Sequence, residues 1–247
     1  MEHYLREAVK IRESRRAFQK LPLRKQDSDR MRLLISRYNQ EARLKMRLVE
    51  IDEELFRHYK NGVSLFKDVV NYIALVGANE DRDMEDKIGY YGELLVLEAT
   101  AIDLGTCWIT RTFDRAGCEE RLELEEGYRL AGVIAIGYPA PQKPLREAAI
   151  QRLCRTIWRK ADILRKSGAQ EPEWVSSGIK AVMLAPSRPP SYPFAFELTE
   201  DSRIRAEPLR ENRRIELGIA MVHFEIGAAV GRWYKEEGVW TFAVSHS

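Results

Sequence analysis

An apolar run near the middle of the chain, RLAGVIAIGYP (129–139), requires a β-sheet. Its β-branched and apolar residues follow no helical period, and Gly137 and Pro139 close it, which is typical of a buried strand. A second run, VVNYIALVGA (69–78), has the same character. Because a strand must share its backbone hydrogen bonds with a neighbour, this pair argues against a purely helical interaction protein.

The other elements are predicted from periodicity and turn residues. Shorter strands are expected at 48–52, 107–109, 194–198 and 203–209. Gly105 is expected to cap the third helix. The stripe of Ile215, Ile219, Val222, Ile226 and Val230 is expected to face inward on the last helix. Helices are expected over 2–18, 27–47, 87–104, 145–166, 173–184 and 212–232, with a linker at 167–172.

Length and cysteine content narrow the class of protein. The 247 residues suit one large domain or two fused small ones. Cys107, Cys118 and Cys154 are widely spaced, which excludes a disulfide framework and a zinc ribbon and favours a reducing compartment. The charged N-terminus and the short apolar runs predict neither a signal peptide nor a membrane span. We therefore expect a cytoplasmic protein with no membrane partner.

Charge is segregated along the chain. Residues 1–60 carry 16 Lys and Arg against 10 Asp and Glu, residues 61–140 carry 7 against 15, and residues 141–170 carry 8 against 2. The two basic stretches either converge on one anion or form solvated helix faces. They lack interleaved aromatic residues and a recognition motif, so no nucleic-acid partner is expected.

Common catalytic motifs are missing from the sequence. The chain has no dinucleotide-binding G-x-G-x-x-G, no P-loop, no H-E-x-x-H and no G-x-S-x-G. His223 is interpreted as a hydrogen-bonded core histidine rather than a metal ligand, and Cys107 as a small core residue rather than a nucleophile. No metal site and no protein nucleophile are predicted, which leaves chemistry supplied by an organic cofactor.

The segment IRESRRAF (11–18) contains an Arg-x-Ser-x-Arg pattern suited to a phosphate. If the first helix continues through it, Arg12 and Arg16 extend the inward face of Leu5 and Val9, and inward cations need an anionic partner. Two guanidinium groups and the Ser14 hydroxyl are good phosphate donors. If the helix ends near residue 12, these are surface arginines instead.

Two predicted helices share the same spacing of two glycines and a following tryptophan. Gly92 and Gly105 are thirteen residues apart with Trp108 beyond, and Gly218 and Gly231 are thirteen apart with Trp233 beyond. A glycine inside a helix usually marks close packing. Either the chain is a tandem duplication whose helices pack across a pseudo-twofold axis, or the similarity is chance.

Four segments together resemble the nitroreductase flavoproteins. IRESRRAF (11–18) is similar to that family's N-terminal Arg-x-Ser-x-Arg/Lys segment, and LGTCWI (104–109) to its Gly-x-Cys-Trp-Ile stretch after the central helix. AIGYPAPQKPLR (135–146) resembles its late strand and Gly-Tyr-Pro turn, and LAPSRPPSYPFAF (184–196) its Pro-Ser loop. Since that loop occurs late in this chain, the order resembles the tandem branch, in which one chain mimics the family's dimer.

The resemblance implies FMN as cofactor and a set of binding residues. Arg12 and Ser14 would hold the FMN phosphate, and Arg16 would lie near the pyrimidine edge of the ring. The backbone of Ile109 and Thr110 would approach the flavin N5. The set is completed by the late cations Lys143 and Arg146 and by the loop residues Pro186, Ser187 and Arg188 from the opposite half.

The fold implied is α+β, a mainly antiparallel sheet covered by helices, in two unequal repeats over 1–166 and 173–247. The activity implied is transfer of a hydride from NADH or NADPH through the flavin to a nitro, quinone or similar small-molecule acceptor. One flavin and a monomeric pseudo-dimer are expected. The family's loop asparagine and glutamine fall at Pro190 and Tyr192, and Thr110 replaces a common glycine, so the alternative is a degenerate relative that binds an anion, or nothing, without turnover.

Overall fold

The computed structural model describes residues 3–55, 66–144, 147, 163–166, 170–186 and 193–244. Within these ranges lie helices α1 (His3–Ile11), α2 (Lys25–Ala42), α3 (Met84–Thr100), α4 (Arg115–Arg121), α5 (Glu173–Val182) and α6 (Arg214–Ala228). The strands are β1 (Arg47–Val49), β2 (Tyr72–Ala78), β3 (Gly105–Ile109), β4 (Tyr128–Gly137), β5 (Leu164–Lys166), β6 (Phe194–Leu198), β7 (Ile204–Pro208), β8 (Gly231–Glu236) and β9 (Val239–Val244).

The strands form two sheets. The first has the order β1-β2-β4-β3 and is antiparallel throughout. The second has the order β5-β6-β7-β9-β8, in which only β5 runs parallel to its neighbour. The expected α+β class with mainly antiparallel strands and covering helices is confirmed, although the strands divide between two sheets.

Strand β4 lacks a polar face because both of its faces are covered. Ile134 and Ile136 pack into the core shared with α1, α2 and α3, whereas Val133 and Ala135 pack into a core on the other side that includes Phe113. All four side chains are at most 1% exposed. A strand buried on both faces reads as a continuous apolar run, which is the pattern the sequence has.

The two sheets repeat one arrangement around a central helix pair. Four antiparallel strands of each sheet, β1-β2-β4-β3 and β6-β7-β9-β8, follow the same order: first, second, fourth, third. In each set a long helix joins the second strand to the third, α3 in the first sheet and α6 in the second. A Cβ at Gly89 of α3 would lie 2.1 Å from the Ile215 oxygen, and one at Gly218 of α6 would lie 2.0 Å from the Asp86 oxygen. The crossing is therefore reciprocal, as a pseudo-twofold axis predicts.

The glycine spacing indicated the wrong residue for this crossing. Gly92, which the spacing pairs with Gly218, lies one turn along α3 and faces the Trp108 ring, with its Cβ position 2.6 Å from Cη2. Gly89 is the residue in contact with Gly218. The duplication and the division into 1–166 and 173–247 stay predictions.

Several predicted boundaries were wrong. Helix α1 ends at Ile11 rather than at residue 18, and α2 ends at Ala42, where Arg43 adopts a left-handed φ of 57°. Gly105 does not cap α3, because the chain turns at Asp103, with a φ of 61°, and Gly105 begins β3.

The later elements also differ from prediction. Helix α6 ends at Ala228, and Val230 is 39% exposed rather than part of the buried stripe. Residues 164–166 form β5 instead of helix, and most of the helix predicted at 145–166 lies outside the described residues. Among the residues that the structure describes, no helix combines the length and the apolar character needed to cross a membrane.

Candidate functional site

The Arg-x-Ser-x-Arg segment is extended, not helical. Ser14 forms a parallel bridge with Thr106 of β3, and the Arg15 amide donates to the Thr106 oxygen at 2.8 Å. Side chains of an extended segment alternate, so Arg12, Ser14 and Arg16 point one way and Arg15 the other. Contrary to the prediction, these residues do not continue α1, but the period of two along an extended segment also places Arg12, Ser14 and Arg16 on one side.

That side of the segment borders a cavity of about 270 Å³ between the two halves of the fold. Ser14 and Arg16 line one part of it, and the end of β3 with the turn that follows (107–112) lines another. The second half contributes Pro186 and three residues from the start of α6, namely Ile215, Glu216 and Ile219. Elements far apart in the sequence therefore meet in one site.

The structure brings together five of the predicted site residues, since Ser14, Arg16, Ile109, Thr110 and Pro186 all line this cavity. Arg12 lies beside it, next to Ser14. Lys143 does not line the cavity and instead donates to Glu13 at 2.6 Å. Arg146, Ser187 and Arg188, like Pro190 and Tyr192, lie outside the described residues.

Arg12 is a largely buried cation with poorly satisfied donors. Its side chain is 9% exposed, and its nitrogens are 3.5 Å from the Ser14 hydroxyl, 3.5 Å from the Leu184 oxygen and 3.6 Å from Glu93 Oε1. All three distances exceed an ordinary hydrogen bond, and Nε has no hydrogen-bond partner in the described part of the chain. An anionic ligand in the cavity would supply the missing acceptors, so these residues fit a phosphate.

Glu93, which the sequence analysis did not single out, is the centre of a buried network. It is fully buried on α3 and accepts the Trp108 indole N–H at 2.7 Å. His223 Nε2 lies 2.9 Å from the other carboxylate oxygen, and His223 Nδ1 lies 3.1 Å from the Ala181 oxygen. The interpretation of His223 as a hydrogen-bonded core residue is confirmed. An acidic residue inside the apolar stretch GELLVLEA (92–99) was the signal that could have found Glu93.

Two further residues hold the walls of the cavity in place. Arg115 on α4 donates to the carbonyl oxygens of Thr110 at 3.0 Å and Ala131 at 3.3 Å, which fixes the turn after β3. Cys107 is 4% exposed and contributes to the wall as a small core residue. Among the described residues, no group of acidic, cysteine and histidine side chains is arranged to hold a metal ion.

Glu147 anchors the extended segment from the side opposite the cavity. It is 2% exposed and accepts the Arg15 Nε–H at 2.7 Å. Its other oxygen accepts the backbone N–H groups of Arg16 at 2.9 Å and Ala17 at 3.0 Å. One carboxylate therefore fixes the backbone from which the Arg16 side chain reaches the cavity.

Removal of this anchor is expected to be strongly destabilising. In Glu147→Ala, Arg15 and two backbone N–H groups lose their acceptor, so the free energy of unfolding should fall by about 3 kcal/mol. Glu53→Ala, at an exposed ion pair with Lys20, is the control and should cost less than about 1 kcal/mol. Urea unfolding measures both. Equal effects of the two substitutions would contradict the anchoring role.

A second cavity of about 690 Å³ lies on the other side of the central helix pair. With Gly89 aligned to Gly218, its residues Asp86, Lys87 and Tyr90 are the counterparts of Ile215, Glu216 and Ile219. Burial raises the pKa of Asp86 and of nearby Glu225. The two cavities are therefore chemically different, and the described part of the second has no Arg-x-Ser-x-Arg counterpart in its lining.

Comparison with known proteins places the chain in a family. The profile of the family described as "Putative TM nitroreductase" matches residues 4–228. A putative nitroreductase from Thermotoga maritima has a similar structure, with a TM-score of 0.67, 19% identity and coverage of 99% of this chain and 96% of that one. At this identity the likeness shows the fold. No curated protein matches the chain.

Two other solved nitroreductases match a little more than half of the chain. An FMN-dependent nitroreductase from Clostridium difficile is 21% identical, covers 55% of this chain with 88% of its own, and has a TM-score of 0.46. A nitroreductase with bound FMN from Bacteroides fragilis is 16% identical, covers 59% with 92% of its own, and also scores 0.46. The match over 4–228 is what decides the assignment: the chain belongs to the Putative TM nitroreductase family.

Proposed function

We propose that this protein is an FMN-dependent oxidoreductase that uses NADH or NADPH to reduce a nitro, quinone or similar small-molecule acceptor. The observation that carries the proposal is Arg12, a guanidinium beside the cavity that is only 9% exposed and whose donors lack short partners among the described residues. The same cavity gathers Ser14 and Arg16 with the end of β3. A flavin mononucleotide offers both the dianion and the flat ring that such a site suits.

Each part of the cavity has a role in holding the cofactor. Arg12 and Ser14 would bind the phosphate through charge-assisted hydrogen bonds. The Arg16 guanidinium, which has no partner among the described residues, would lie at the pyrimidine edge, where a cation favours the anionic reduced ring. The backbone of Ile109 and Thr110, fixed by Arg115, would face the reactive edge.

The second half of the chain would complete the site. Pro186, Ile215 and Ile219 offer apolar surface that excludes water from the ring, so one chain carries both sides of the cavity. When bound, FMN supplies the redox chemistry, accepting a hydride from the nicotinamide nucleotide and passing electrons to the acceptor. We propose one flavin per monomeric chain, because the second cavity has acid, lysine and tyrosine at the equivalent helix positions.

An absorption spectrum taken before and after addition of FMN and desalting tests the proposal. We expect the protein to retain about one flavin per chain, and the bound flavin to bleach without oxygen on addition of NADH or NADPH. Addition of a nitroaromatic compound or a quinone should restore the colour. Retained flavin that neither nucleotide reduces would favour the binding protein without turnover, and protein that stays colourless would overturn the flavin proposal.

A further inference from the structure

The contacts of His223 fix the position of a proton inside the buried network. A carbonyl oxygen only accepts, so His223 Nδ1, at 3.1 Å from the Ala181 oxygen, carries a hydrogen. The other ring nitrogen lies 2.9 Å from Glu93 Oε1. If Nε2 carried only a lone pair and Glu93 were ionised, the two groups would repel each other at that distance. A second proton therefore lies between Nε2 and Oε1. Either the imidazole is charged and the carboxylate ionised, or both are neutral.

In both cases the Glu93–His223 pair has no net charge. Arg12 is always charged, and it lies 3.6 Å from Glu93 Oε1. The carboxylate therefore does not cancel the arginine, since its charge is already balanced by the proton shared with His223. The three residues together carry one net positive charge while being at most 9% exposed.

From this arrangement we infer that Glu93 and His223 are positioning residues that keep the Arg12 charge available to an anion in the cavity. Glu93 also fixes the Trp108 ring, which forms part of the cavity wall. The pair thus keeps Arg12 and Trp108 in place without neutralising the positive charge of Arg12. The other charged groups of the cavity lining are Arg16, Arg111 and Glu216, and Arg213 pairs with Glu216.

Glu93→Gln should leave the affinity for an anion nearly unchanged, although it removes a carboxylate next to Arg12. The glutamine amide can donate to His223 Nε2 and its oxygen can accept from Trp108, while His223 keeps its bond to Ala181. Both the hydrogen bonds and the net charge are preserved. The affinity for an anion should then stay within about twofold of the original. If Glu93 were instead a full counter-ion of Arg12, the substitution would raise anion affinity tenfold or more.

His223→Gln should have the opposite effect. Without the imidazole, Glu93 loses the group that balances its charge and becomes the counter-ion of Arg12. Anion affinity should fall by tenfold or more. The double variant, with Gln at both positions, should recover the original affinity, a rescue that a merely structural role would not give.

Sulfate is the probe, because it is fully ionised near neutral pH and no flavin is needed. Binding at the site is the part of sulfate affinity that Arg12→Ala removes. Glu98→Gln is the matched control, since Glu98 is a second buried acid on α3 that contacts Tyr4 and Arg30 away from the cavity. It should leave the sulfate affinity unchanged.

The inference rests on the proposed anion site, and the outcomes separate the two proposals. It is overturned if Glu93→Gln raises sulfate affinity tenfold, or if the double variant does not recover. If sulfate follows the expected pattern but FMN is not retained, only the flavin proposal fails. Sulfate binding that ignores Arg12 overturns the anion site and this inference together.

Nitrogen NMR of the unmodified protein tests the shared proton without any substitution in the pair. The chain has four histidines, and only His223 has both ring nitrogens in hydrogen bonds among the residues the structure describes. We expect one histidine with a slowly exchanging Nδ1–H and an Nε2 shift displaced from that of a free lone pair. A buried ring with an ordinary unprotonated and unbonded Nε2 would overturn the inference.

Discussion

Gly218→Ala is expected to lower the free energy of unfolding by about 3 kcal/mol. An alanine inside a helix is normally worth ~1 kcal/mol more than glycine, so the sign of this effect is diagnostic. The new methyl carbon would lie 2.0 Å from the Asp86 backbone oxygen and 2.7 Å from the Tyr90 nitrogen of α3. Backbone atoms cannot rotate away as a side chain can, so α3 and α6 would have to separate and open the core between the halves.

Thermal unfolding measures this effect directly. For a domain of this size, 1 kcal/mol corresponds to roughly 2–4 °C, so the midpoint should fall by about 10 °C. Gly137→Ala is the control, because the nearest atom to its Cβ position is Phe18 Cδ1 at 3.4 Å, an ordinary contact. Its unfolding free energy should change by less than about 1 kcal/mol. A Gly218→Ala variant as stable as the control would mean that the helices do not cross this closely.

Arg12→Ala is expected to weaken FMN binding about 100-fold. Hydrogen bonds to charged groups contribute roughly 1.5–3 kcal/mol each, and about 1.4 kcal/mol is tenfold in affinity. Arg12 brings a charge that is already largely removed from water, so little further desolvation is needed when a phosphate binds. Its present contacts are all at 3.5 Å or more, so little binding energy is lost when contacts to the phosphate replace them.

Quenching of flavin fluorescence on titration measures the dissociation constant. Arg6→Ala is the matched control, because Arg6 is an exposed arginine on α1 only six residues earlier. It removes the same formal charge from the chain but should change the affinity less than twofold. The phosphate assignment would fail if both variants bound FMN equally well.

The sequence by itself was sufficient for the buried strands. Apart from Asn71 and Arg129, residues 69–78 and 129–139 are apolar on both faces, which is typical of buried strands. In the structure they are neighbours, β2 and β4. Its interior glycines left two alternatives for α3 and α6, close packing or chance similarity, and the structure shows close packing. Which glycine makes the contact depends on helix rotation, and residues 89 and 92 are equally good in sequence.

Element ends were less predictable because they depend on local backbone choices that several residues can make. Asp103 and Arg43 adopt the left-handed conformation, although glycine is the residue usually expected there. Helix α1 stops at Ile11 because the chain that follows forms bridges and hydrogen bonds with β3 and with Lys67. Those partners are distant in the sequence, so no local pattern specifies them.

The candidate site, like the fold, could be predicted from the sequence only in part. The residue types of the Arg-x-Ser-x-Arg segment indicated an anion-binding element, which stays a prediction, but the helical geometry assumed for it was wrong. In the extended chain the guanidinium and hydroxyl groups at a spacing of two lie on one side. Only the tertiary structure decided what surrounds Arg12. Glu93, His223 and the Ala181 oxygen come from three different helices. Their distances determine where one proton lies, and with it whether the arginine is neutralised or left for a ligand, because the charge of a buried group depends on its neighbours in space.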